Sequence, residues 1–364
     1  MQIKSETFRG RRGWRLSNDR MELVVLAGGG HLAGLFLKSR PEINPYWQPG
    51  WRGIEPWQYS NRLAGRYGAG LLASISGHNL CLGAFGDPSP AEARAGLSGH
   101  GEAPVTRWRA MARHVTNTAL RFTYGCELPV ARMRVRRTLT LRRDATQVRI
   151  RDEVTNLARC DVPFTMCQHV TFGAPFLEPV STVFDLSGEK AHTFPGNFGQ
   201  PQRLPEDQPI TWPMATDTRG RKIDLRTMGR RRNGDYFAVL MNQRKKLAWF
   251  SAMHPAQGLL VAYVWNPRDY PWTGVWEENH SRKTTPWLGR ELTRGMEFSN
   301  SPFPIGLRRS VALHRFQGQP TYQWLPARER RSFDYALLAE EADPAARGVH
   351  DIQAVGQRYQ VIFK

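Results

Sequence analysis

Only four of the 364 residues are cysteine: Cys81, Cys126, Cys160 and Cys167. None forms a CxxC pair, so neither a zinc ribbon nor a redox dithiol is expected. Long apolar runs are missing as well. No stretch of about 18 apolar residues exists, so no helix is expected to cross a membrane. The N-terminal MQIKSETFRGRRGWRLSNDR has no apolar core of the signal-peptide kind, and a cytoplasmic location is the expectation. Acidic residues are few, 32 against 51 Lys and Arg, for a net charge of +19. That imbalance bears on partners and solubility rather than on fold. The catalytic phrases GxxxxGK[ST], HExxH and GxSxG are absent.

Apolar residues make up 40% of the chain, aromatics 11%, and there are 12 tryptophans. This excludes disorder, and the length suffices for a large core without disulfide or metal staples. Gly (33) and Pro (25) punctuate the chain, and period-2 patterns run between them. Met21–Lys38 reads as two strands joined by Gly28-Gly29-Gly30. In Arg132–Leu141, Met133, Val135, Leu139 and Leu141 share one face and arginines the other, with Arg137 interrupting the apolar side. Val148, Ile150 and Val154 continue the pattern in the next strand. Further strand-like runs are Leu120–Tyr124, Phe164–His169, Phe237–Met241, Leu247–Ala252, Leu259–Trp265, Leu307–Leu313 and Gln357–Phe363. The best helical spacing is Arg330–Ala342, with Phe333, Leu337 and Leu338 ahead of Asp343-Pro344. The expected fold is all-β, a large two-sheet sandwich with few short helices. A single domain over residues 1–364 is expected, with a loop-rich insertion around 178–232.

Gly28-Gly29-Gly30-His31-Leu32-Ala33 fits a variant of the dinucleotide fingerprint and follows a strand. The fingerprint requires a helix next, to aim its N-terminus at the pyrophosphate. Here Pro41 follows too soon, and the hairpin is preferred. Nucleic acid is disfavoured as a partner, because the arginine-bearing strands carry threonines instead of the interleaved aromatics of a stacking platform.

Three segments place polar groups in apolar company: Gly99-His100-Gly101, Met166-Cys167-Gln168-His169 and Gly295-Met296-Glu297-Phe298. A carboxylate among apolar residues has its pKa raised, and an imidazole holds or gives a proton near neutrality. Together they make an acid/base set without a nucleophile. Each also has a plain structural use: Glu297 as an ion-pair partner of Arg294, His100 as a turn residue. Glu277-Glu278 is a rival carboxylate, ranked lower because its polar flanks suggest an exposed loop. Trp47, Trp51, Trp57, Trp272, Trp276 and Trp287 lie in Pro- and Gly-rich stretches, where they serve either as a flat ligand-stacking surface or as core.

In this order the segments resemble the aldose 1-epimerase, or galactose mutarotase-like, superfamily, a β-supersandwich. The resemblance runs from about Asn18 to Ala342 through the Leu23–Leu37 hairpin, Asn44-Pro45-Tyr46-Trp47, Leu97–Pro104, Pro163–Pro175 and Gly295–Asn300. It implies Glu297 as general base, His169 as general acid and His100 as a group binding the ring oxygen or nearby hydroxyls. Arg62, Arg66 and Asp235 are its weaker matches for hydroxyl binding, and the family's sugar-binding arginine phrase is rearranged in Ser60–Arg66. Trp47 and Trp276 join the implied substrate-binding set. The implied activity is interconversion of sugar anomers by ring opening and closing, with no metal and no cofactor. The implied partner is a monosaccharide or sugar derivative, anionic sugars included. The alternatives are a non-catalytic carbohydrate-binding protein of the same fold, and a metal-dependent sugar isomerase or lyase using His78, His100 and His169.

Overall fold

The computed structural model describes residues 1–364. Two antiparallel sheets, of 14 and 8 strands, share one apolar core. The larger runs in the order Gln2–Phe8, Arg11–Ser17, Met21–Leu26, Leu32–Leu37, His78–Gly83, Val162–Gly173, Leu292–Ser299, Trp272–Asn279 and Asn233–Leu240. Four short strands between Lys190 and Asp224 extend its far edge. The smaller sheet runs Val183–Leu186, Ala248–His254, Leu259–Trp265, Arg330–Glu341, Gln147–Asn156, Met133–Arg142, Ala119–Leu128 and Arg109–Val115. This is the all-β two-sheet sandwich expected from the period-2 patterns. The segment 178–232, expected as loops, contributes one strand to the smaller sheet and four to the larger.

The glycine-turned hairpin forms as expected, with Gly29 and Gly30 at φ +79° and +65°. A Cβ on Gly30 would meet the Trp108 ring at 2.5 Å, so no other residue fits this turn. A strand and not a helix follows, which removes the dinucleotide-binding geometry.

Two local expectations are corrected. Arg330–Glu341 is a strand, not a helix. It lies between two partners, and its apolar residues serve both faces. Phe333, Tyr335, Leu337 and Ala339 enter the main core, while Ala336 and Leu338 pack under the C-terminal hairpin Val349–Val355/Arg358–Phe363. Apolar residues on both faces of a central strand mimic helical spacing. Leu307–Leu313 is a short helix, not a strand. Ser310 is its one buried residue, and Thr321 donates to the Ser310 carbonyl at 2.6 Å.

The interruption at Arg137 also has a physical reason. Arg137 and Asp152 are cross-strand partners buried in the sandwich, joined by two hydrogen bonds of 2.6 and 2.7 Å. Arg137 also donates to Gln168 Oε1, and the Gln168 amide donates to Asp152 and to the Tyr270 hydroxyl. Tyr335 donates to Gln168 as well, and His78 Nε2 lies 3.0 Å from the same oxygen. Polar groups withdrawn from water this completely require partners of this kind. The network fixes the residue immediately before His169.

Candidate active site

Val162–Gly173 is buried on both faces, and its two-residue period divides its side chains cleanly. Phe164, Met166, Val170 and Phe172 point into the inter-sheet core. Cys167, His169 and Thr171 alternate with them on the other side. Strand register then assembles the site. His169 stands opposite Glu297 on one neighbour and Asn79 on the other, and Cys167 stands opposite Cys81. His169 Nε2 lies 3.1 Å from Glu297 Oε1, and its Nδ1 lies 3.0 Å from the Thr171 hydroxyl.

His100 arrives from a loop. Its φ is +63°, its N–H donates to the Gly86 carbonyl at 2.8 Å, and Gly101 lies too close to the Leu82 carbonyl to carry a side chain. The ring meets His169 edge to face at 5.5 Å. Close approaches make room for the neighbours. A Cβ on Gly274 would meet the Tyr236 hydroxyl at 1.9 Å, and one on Gly295 would meet Glu297 Oε1 at 2.5 Å.

These groups line a pocket of about 830 Å³, with Asn79, Asp87, Phe194, Phe198, Tyr236, Trp276, Trp287 and Arg282 around them. Arg308 and Arg309 of the short helix also line it. The Arg282 guanidinium sits over the Trp276 and Trp287 rings at 5.2 and 4.8 Å. Glu278 accepts from the Ser281 hydroxyl and from the Ser281 and Arg282 N–H groups, holding the turn that carries this arginine. Among the lining residues two buried donors have no partner, Trp276 Nε1 and Asn79 Nδ2.

Burial raises the Glu297 carboxyl well above the ordinary range, and the negative charge of Cys81 adds to this, while Tyr236 and Arg282 oppose it. His169 is pulled down to about 3 by burial and then by the charge of His100. Both directions favour the proton of the Glu297–His169 pair on the carboxyl group.

The pocket thus gathers His100, His169, Glu297 and Trp276. It does not gather the rest of the expected set. Arg62 and Arg66 are exposed on single-turn helices, with Arg66 over the Tyr67 ring. Asp235 points to the opposite sheet face from Tyr236. It accepts from the Arg203 and Leu204 N–H groups, and burial followed by the charge of Glu277 raises it to about 6. A phase difference of one residue decided this, since adjacent strand residues face opposite sides. Trp47 stacks against Trp287 at 5.4 Å and donates to Glu291, standing behind the lining. Trp57 is exposed, and Trp272 is buried against Phe316.

The rival pair Glu277-Glu278 is buried on a strand, not in an exposed loop. Arg294 pairs with Glu277 at 3.3 Å and not with Glu297. His78 is turned into the sandwich core, between Gln168 and Tyr263. It is therefore separated from His100 and His169, and no cluster of three His, Cys, Asp or Glu side chains has metal-holding geometry. Asn79, Tyr236 and Arg282 were not singled out from sequence. Tyr236 and Asn79 join the site through cross-strand pairing, opposite Trp276 and His169 respectively, which no local pattern announces.

The fold has counterparts among solved structures. A galactose mutarotase-like protein from Clostridium acetobutylicum matches with a TM-score of 0.61 at 12% identity, over 94% of this chain and 99% of that one. This is the galactose mutarotase-like fold. A candidate aldose 1-epimerase from Klebsiella pneumoniae matches with a TM-score of 0.64 at 14% identity, over 94% of this chain and 84% of that one. A galactose mutarotase related enzyme from Lactobacillus acidophilus gives 0.56 at 11% identity, over 91% and 98%. Residues 125–284 match the family described as Domain of unknown function (DUF4432). No curated protein matches the chain. At these identities the galactose mutarotase-like neighbours speak for the fold, and the chemistry has to be argued from the pocket.

Proposed function

We propose that this protein interconverts the anomers of a sugar in the His100/His169/Glu297 pocket. The observation that carries this is the 3.1 Å contact between His169 and Glu297 on the pocket face of adjacent strands. The pair shares one exchangeable proton and acts as a unit. With that proton on His169, Glu297 takes the proton of the anomeric hydroxyl while His169 protonates the ring oxygen. The bond from C1 to the ring oxygen breaks, its electrons go to that oxygen, and the open aldehyde forms. Rotation about C1–C2 and closure by the reverse transfers give the other anomer. The proton then resides on Glu297 in the open-chain state, which is the form that burial favours.

Trp276 and Trp287 offer flat apolar surface to the C–H side of the ring, and the unpartnered Trp276 Nε1 and Asn79 Nδ2 are donors for hydroxyls. Arg282, Arg308 and Arg309 outnumber Asp87 among the charged groups around the catalytic pair, which favours a sugar carrying a carboxylate or phosphate.

The test is anomer exchange measured by NMR or polarimetry over a panel of neutral aldoses, uronates and sugar phosphates, with Glu297→Gln beside the wild type. The wild type is expected to accelerate exchange of at least one sugar, and the variant to lose about 10²–10⁴-fold. Equal rates for the two proteins overturn the role of Glu297. Sugar binding without acceleration favours a carbohydrate-binding protein on this fold.

A further inference from the structure

Below the pocket floor lies a sulfur–imidazole contact that the proposed reaction does not use. Cys81 Sγ is 3.4 Å from His100 Nδ1 and 3.7 Å from Asn79 Oδ1. Cys81 is fully buried, and Cys167, equally buried, is its direct partner across the strand pair. The His100 backbone N–H donates to the Gly86 carbonyl, and its ring rests against Phe85 at 5.6 Å and His169 at 5.5 Å. Nδ1 is thereby occupied by sulfur, leaving Nε2 as the ring nitrogen available to the pocket.

We infer that Cys81 is a positioning residue: its sulfur holds the His100 ring by Nδ1, so that Nε2 is presented to the bound sugar. The groups around the pair agree. Burial opposes the Cys81 thiolate, but a hydrogen bond from Cys167 and the charge and hydrogen bond of His100 outweigh it and bring the thiol to about 6. Burial likewise opposes the His100 charge. Cys81 and then Asp87 overcome this and raise the imidazole above its ordinary value, against the like charge of Arg282. His169 beside it is pulled down by burial and then by the charge of His100. Burial raises Glu297, the remaining acid near the pair, well above the ordinary carboxylate range. The sulfur does no covalent chemistry in this arrangement. It selects the protonation form and orientation of a donor, as a hydrogen-bond partner on the far ring nitrogen does for other histidines.

The inference rests on the mutarotase function only for the identity of the sugar, and its test is independent of turnover. Protein labelled with ¹⁵N-histidine is followed by NMR across the neutral pH range as wild type, Cys81→Ala and Cys81→Ser, with thiolate absorbance recorded in parallel. Wild type is expected to show a thiolate titrating near pH 6 and a His100 ring doubly protonated above the ordinary histidine range. Cys160→Ser, a change at an exposed cysteine, is expected to leave both signals unchanged. Cys81→Ala is expected to remove both, and Cys81→Ser to keep the Nε2–H tautomer through its hydroxyl while losing the charge. In the exchange assay Cys81→Ala is expected to lower kcat about tenfold with KM little changed, and Cys81→Ser to recover part of the loss. A thiolate that appears only in the ordinary cysteine range, or a His100 spectrum identical in wild type and Cys81→Ala, overturns the inference. Should neither variant fold, the wild-type titrations alone decide it. Loss of all sugar turnover with these spectra intact would count against the mutarotase function and not against Cys81.

Discussion

Replacing Asp152 by Asn leaves the shape of the sandwich interior almost unchanged but strips Arg137 of its counter-charge. Both side chains have no solvent exposure, and the Arg137 Nη1 has no partner even in the intact network. Burial alone would pull the Arg137 guanidinium down, and Asp152 is the main group holding it charged. Breaking a buried pair by removing one member costs about 3–5 kcal/mol, because the other charge stays desolvated. Unfolding entropy is about 2.1 cal/mol/K per residue, so 364 residues give about 0.8 kcal/mol/K. A loss of about 4 kcal/mol therefore lowers Tm by about 5 °C. The double variant Arg137→Met/Asp152→Leu removes both charges and is expected to recover more than half of that loss, since apolar replacement of a buried pair is often neutral. Thermal melts followed by circular dichroism, with urea titrations to confirm the free energies, measure both. A drop below about 1 °C for Asp152→Asn, or a double variant that loses the sum of the two single variants, would refute the assignment of this pair as a desolvated charge couple.

The remaining expectations concern the pocket. Glu297 binds a proton in the folded protein at pH values where the unfolded chain has released it, so its contribution to stability is full at acid pH and is lost as pH rises through its raised folded pKa. Glu297→Gln should flatten that fall at pH values above the ordinary carboxylate range in thermal melts, and an unchanged slope would contradict the raised pKa. Asp235, raised to about 6, has the same sign, and Asp235→Asn should flatten the fall between its unfolded value and about 6. Gly295→Ala would set a methyl 2.5 Å from Glu297 Oε1, so kcat for anomer exchange should fall by about 10²-fold while Tm moves little. Trp276→Ala should raise KM by about tenfold through lost stacking, with a smaller effect on kcat.

Much of the architecture was legible because a half-buried strand writes its two-residue period into the chain. All the strand-like runs except Leu307–Leu313 fall on strands, and the glycine hairpin formed where Gly28–Gly30 required it. The pattern failed where a strand is buried on both faces. Arg330–Glu341 carries apolar residues for two cores and so resembled a helix. The buried glutamates at 277 and 278 resembled an exposed loop for the converse reason, since their polar character gives no hint of the arginine or the turn N–H groups that satisfy them.

The sequence by itself determined that this is an all-β chain of alternating strands, and that His169 and Glu297 stand among apolar neighbours. Those properties are local, because they depend on neighbours one to four positions away. Only the tertiary structure decided which of these groups meet. His169 and Glu297 are far apart in the chain, and their 3.1 Å contact follows from the register of two strands. The same register turned Asp235 away from the pocket and Tyr236 toward it, and placed Cys81 under His100. Pairing between distant strands is fixed by how whole faces bury, and a local pattern specifies a face without naming its partner.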